Sequence, residues 1–138
     1  MLSMLLLQLS IDHTIIPAAP ANEDAVAAYA AFTAGSRADR LLSASCTCAE
    51  RIELHRVVRK DGQVDMIDDF PLALPKRTRV EVKPGSDLHF MLIGTRRAFV
   101  SGERVTMTLT FARAGRCDIS FRVVPTSASG WTEWRAEP

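Results

Sequence analysis

Along most of the chain, apolar and polar residues alternate one for one. In "DLHFML", residues 87–92, Leu88, Phe90 and Leu92 fall on one side and His89 and Met91 on the other. In "VTMTLTF", Val105, Met107, Leu109 and Phe111 oppose Thr106, Thr108 and Thr110. A period of two is the signature of a strand buried on one face. The pattern predicts strands over Leu5–Ile11, Val26–Thr33, Arg40–Ser45, Arg51–Arg59, Val64–Asp68, Arg77–Lys83, Leu88–Ile93, Arg104–Phe111 and Cys117–Val124. Lys60-Asp61-Gly62-Gln63 supplies an Asp-Gly hairpin turn, and Lys83-Pro84-Gly85-Ser86 and Ala114-Gly115 supply further breaks. Only the alanine-rich stretch Asp24–Phe32 offers any helical stripe. Short strands in a chain of 138 residues predict one all-β domain, a sandwich or small barrel of about eight to nine strands. It spans residues 1–125, and residues 126–138 form a polar tail whose Trp131 and Trp134 either dock back or stay free.

Composition narrows the function by exclusion. With 17 basic and 16 acidic residues spread through the sequence, no electrostatic footprint marks a nucleic acid or an anionic membrane as partner. No apolar run reaches the roughly 18–20 residues of a membrane span. "MLSMLLLQLS" lacks the basic start and small-residue cleavage site of a secretory signal and reads as strand. Three cysteines are too few, and odd in number, for a disulfide scaffold. An extended Cys46-Thr47-Cys48 points both sulfurs the same way beside Leu42 and Ala44, which favours two small half-buried side chains over a thiolate pair for Cu(I). Cys117 is in step with Ile119, Phe121 and Val123, and Met107 with Val105 and Leu109, so both are expected in the core.

His55, His89 and Met91 avoid the apolar stripes of their strands. With Asp61-Gly62 as a two-residue turn, Val57 faces Met66 and His55 faces Asp68, which makes Met66 the diagonal same-face neighbour of His55. Two histidine–methionine pairs result: His55 with Met66 across a hairpin, and His89 with Met91 along one strand. Imidazole and thioether form a neutral, soft-to-borderline donor set that selects Cu(I), whereas zinc sites use cysteine, histidine and carboxylate. A blue-copper redox centre needs a cysteine ligand, and none of these four positions supplies one. The chemistry points to carrying copper.

The stretches "AERIELH", "VEVKPGSDLHFMLIG" and "VTMTLTFARAG" resemble the periplasmic copper chaperones of the PCuA(C) family, whose hallmark is H-x10-M-x21-H-x-M. Here the pattern is H-x10-M-x22-H-x-M, with the extra residue placed at the Ser86-Asp87 turn. The resemblance implies a cupredoxin-like β-sandwich or barrel that binds Cu(I) through His55, Met66, His89 and Met91. It further implies a monomeric, extracytoplasmic metallochaperone, not an enzyme. The partner implied is a copper donor or acceptor, either subunit II of cytochrome c oxidase with its CuA centre or a partner chaperone. Two other readings stay open. In one, a metal-free β-sandwich uses Trp131 and Trp134 to anchor a partner. The weaker one is an enzyme, for which no nucleophile motif such as G-x-S-x-G is present and His13 is the one histidine left over.

Overall fold

A computed structural model describes residues 8–126 and 131–137. Ten strands run in the order β1 Leu9–Pro17, β2 Ala25–Ala34, β3 Asp39–Ser45, β4 Ala49–Lys60, β5 Gln63–Asp68, β6 Leu72–Leu74, β7 Arg79–Val82, β8 Leu88–Thr95, β9 Arg104–Phe111 and β10 Gly115–Val124. A six-residue helix, α1, spans Trp131–Ala136. The all-β expectation holds, with one strand more than the alternation shows. Hydrogen bonding links the strands in the order β5-β4-β8-β2-β1-β10-β9-β3-β6, and β7 pairs with β2 off this path. The long β2 is the hinge of the layout: Ala25–Ala28 pair with β8, whereas Ala30–Thr33 pair with β7. One apolar core serves both ends of the sheet. Phe32 of β2 meets Phe90 of β8 and Phe111 of β9 edge-on, at ring distances of 6.3 and 6.1 Å. Such aromatic edges add modestly to the burial term that dominates here.

Several departures from the sequence reading have physical causes. β1 continues past Ile11 to Pro17 because a bulge between Asp12 and Ile15, with His13 at φ 55°, resets the alternation. Leu9 and Ile11 face the main core before it and Ile16 after it, while Ile15 turns to the opposite face. Residues 1–7, including the start of the strand expected from Leu5, lie outside the described residues. The alanine-rich stretch is strand: Ala28, Ala30 and Phe32 bury one face, and Tyr29 and Ala31 form the other. Cys46 and Cys48 are not two separate packing residues, because the chain turns there and joins them in a disulfide. Cys117 and Met107 pack with the core as expected.

Trp134, only 4% exposed, packs with Ile15, Ala31 and Val124 on the outer face of the β1/β2/β10 end. Its buried position takes Trp134 away from the role of partner anchor; the side chain of Trp131 lies outside the described residues.

Candidate metal centre

The hairpin β4–β5 sets the first half of the site. Asp61 and Gly62 both take positive φ, 53° and 78°, as a two-residue turn of matching twist requires, and Lys60 pairs with Gln63 across it. The register then places Val57 opposite Met66 and His55 opposite Asp68. On the other side of β4, His55 is directly opposite His89 of β8, and Glu53 is opposite Met91. Directly opposed residues share a face of the sheet. His55, Met66, His89 and Met91 therefore all lie on the outer face of β5-β4-β8, while Leu54, Phe90 and Leu92 fill the core behind them.

The two histidines touch. Their rings are 5.5 Å apart between centroids and nearly perpendicular, at 78°. Met91 is half-buried and is paired in register with Ala27 of β2, the smallest side chain that a Cβ-bearing neighbour can offer. Met66 is 60% exposed on the edge strand, so it is the outermost of the four. Arg56 lies on the opposite face of β4 from His55 and pairs with Asp69 at 2.6 Å. The guanidinium next to His55 in sequence is thus directed away from the four side chains.

Two residues that the spacing argument passed over hold His55 in place. Its Nε2–H donates to Glu53 Oε1 at 2.7 Å, and Arg51 Nε donates to the other oxygen of the same carboxylate at 2.7 Å. Arg51, and after it His55, keep the Glu53 carboxyl below the ordinary carboxylate range. With the proton held on Nε2, the lone pair of His55 is at Nδ1, and that atom is buried without a hydrogen-bond partner. A buried polar atom left unpaired costs free energy, and an imidazole fixed from behind by a carboxylate is the usual arrangement of a metal-binding histidine. Burial, reinforced by the neighbouring His55, lowers the His89 pKa and keeps that ring in the neutral, ligating form. Arg51 and Glu53 were visible as the residues four and two places before His55 in "RIELH", since positions two apart on a strand share a face.

Among the described residues, no three His, Cys, Asp or Glu side chains gather to hold a metal ion. His13 stands apart: it bonds Asp12 at 2.8 Å and lies against Trp134 with the rings tilted and their centroids 4.7 Å apart. The available donors are two imidazoles with two thioethers nearby, a set suited to a soft monovalent ion.

Fold and site together define a cupredoxin-like β-domain with an outward-facing His/Met surface. A family model described as "Putative lipoprotein LpqE-like" matches residues 9–123, and the chain belongs to that family. Solved structures with the same fold include the copper-bound PCuAC domain of PmoF2, with a TM-score of 0.72 at 23% identity over 86% of this chain and 94% of that one. The apo PCuAC domain of PmoF1 gives 0.71 at 20% identity over 86% and 95%. The Cu(I) form of DR1885 from Deinococcus radiodurans gives 0.65 at 22% identity over 88% and 79%. The PCuA(C) resemblance drawn from the sequence is borne out by family and fold. No curated protein matches the sequence.

Proposed function

We propose that the outer face of β5-β4-β8 binds Cu(I) through His55, His89, Met91 and Met66, and that the protein is a metallochaperone, not an enzyme. The observation that carries this reading is the bare, buried Nδ1 of His55, with its ring against that of His89, on the face that also bears both methionines. Copper is the cargo. Met66, exposed on an edge strand, is the donor most open to replacement, so an acceptor's cysteine or histidine enters there before the imidazoles release the ion. Val64, exposed and two residues before Met66 on the same face of β5, gives an approaching acceptor an apolar contact beside the exit.

The PCuA(C) resemblance supports, as that acceptor, the CuA-bearing subunit II of cytochrome c oxidase or a partner chaperone. The copper-bound forms of the PmoF2 domain and of DR1885 support copper as the metal and, for DR1885, Cu(I) as its state. The lipoprotein description of the family supports a location outside the cytoplasm. No helix among the described residues is long and apolar enough to cross a membrane.

Nuclear magnetic resonance of the histidine rings and methionine methyl groups tests the ligand set. One equivalent of Cu(I), added anaerobically, is expected to shift His55, His89, Met66 and Met91 and to leave His13 and Met107 where they were. Shifts at His13, or unmoved methionine methyls, would remove this assignment.

A further inference from the structure

The turn between β3 and β4 carries a second feature with chemistry of its own. Cys46 and Cys48 are disulfide-bonded with one residue between them and Cα atoms 5.1 Å apart. The entropy that a cross-link removes from the unfolded chain grows with the loop it closes, so a bond spanning Thr47 alone is a poor staple. Its surroundings are specific. Arg96 grips the turn from below: its backbone N–H donates to Cys48 O at 2.9 Å, and its guanidinium donates to Ala49 O at 3.2 Å. Arg97 is ion-paired with Glu103, but neither Arg96 nor Arg104 has a carboxylate partner among the described residues. These arginines line a groove of about 320 Å³ together with Thr47 and Cys48. Cys46 is half-buried and Thr47 exposed, whereas Cys48 is buried. The groove thus reaches the disulfide at its buried Cys48 end, beside two arginines without a carboxylate partner among the described residues, while the half-buried Cys46 lies just outside its lining; its volume is that of a small-molecule site.

We propose that Cys46–Cys48 is a thiol–disulfide exchange site that accepts two electrons from small anionic thiols, which the positive arginine groove at its Cys48 end gathers around the turn and whose attack falls on the half-buried Cys46. The thiolate of the first thiol attacks Cys46 Sγ, the Cys46–Cys48 bond breaks, and Cys48 leaves as a thiolate beside Arg96. A second thiolate attacks the sulfur of the bound thiol in the mixed disulfide and releases Cys46 as a thiolate. Two thiols are oxidised to one disulfide, and the protein gains two thiols, with the two protons passing from the reagent thiols to the cysteines through solvent. Positive charge near the leaving sulfur lowers its pKa and speeds departure, and the same charge gathers anionic thiols from solution. The site is independent of the copper face: His55 lies six residues further along β4 than Ala49, roughly 20 Å at strand spacing.

The test is the reduction rate of the metal-free, full-length protein with mercaptoacetate, an anionic thiol, and with cysteamine, a cationic one. Each rate is normalised to that thiol's reaction with uncharged hydroxyethyl disulfide. Alkylation followed by mass measurement counts free thiols, starting from the one at Cys117. The expected result is a normalised preference for mercaptoacetate of about tenfold at low salt, shrinking at high salt. Arg104→Gln, which among the described residues gives up a side-chain hydrogen bond to Ser120 at 3.3 Å and none to the turn, is expected to cut that preference several-fold. Arg96→Gln is expected to cut it further and to raise the pH at which the reduced pair is alkylated. Equal normalised rates for the two thiols, or a disulfide that resists both while the fold stays native, overturns the proposal.

Discussion

Saturating Cu(I) should raise the thermal midpoint of this protein by roughly 10–20 °C, and the double variant His55→Ala, His89→Ala should lose that shift entirely. A ligand that binds only the folded state stabilises it by about 4 kcal/mol when its free concentration is a thousand times the dissociation constant. For a domain of this size each kcal/mol moves the midpoint by a few degrees. The two imidazoles sit on the outer face of the sheet, in front of a core that Leu54 and Phe90 already fill, so their removal leaves the metal-free fold nearly as stable as before. His13→Ala breaks a bond to Asp12 and a contact with Trp134, so it lowers the metal-free midpoint yet keeps the copper-induced rise. Differential scanning calorimetry under anaerobic conditions separates these cases. A double variant that still gains stability from Cu(I) would place the ion elsewhere.

Asp39→Ala should cost about 3–5 kcal/mol of stability without affecting copper binding. Asp39 is the one charged residue among the described residues that is buried, at 8% exposure, and its carboxylate is fully used. Oδ1 accepts the backbone N–H of Arg40 and of Arg113, each at 2.8 Å, and Oδ2 accepts that of Ala114 at 3.0 Å. The side chain thereby ties the start of β3 to the β9–β10 turn. Each hydrogen bond to a charged acceptor contributes about 1.5–3 kcal/mol, and three donors without a partner recover part of that through water. Asp39→Asn keeps one acceptor oxygen and should cost less than half as much. Urea unfolding measures both variants, and an alanine variant as stable as the native chain would contradict this account of the turn.

The sheet register around the site was legible because the Asp61-Gly62 turn fixes it and because one face of β4 and β8 must be buried. His55 opposite His89 was not legible. Nothing local to either strand says that β8 pairs with β4, since the turn chemistry links β4 only to β5. β6 escaped notice because three residues bounded by Pro71 and Pro75 are too short to show a period. The bulge at His13 hid the second half of β1 by shifting the alternation one place. The Cys46–Cys48 bond was missed because a strand was assumed where the chain turns, and the turn is held by Arg96, almost fifty residues away. Glu53 illustrates the opposite case: its place on the face of His55 was readable, but its hydrogen bond depends on side-chain geometry that spacing does not supply.

Anaerobic competition for Cu(I) against a chromogenic chelator decides whether the His/Met face holds copper, with the native chain compared to His55→Ala, Met91→Ala. The native protein is expected to withdraw one equivalent of Cu(I) from the chelator and the variant none. Equal competition by both, or by neither, would contradict copper binding at that face.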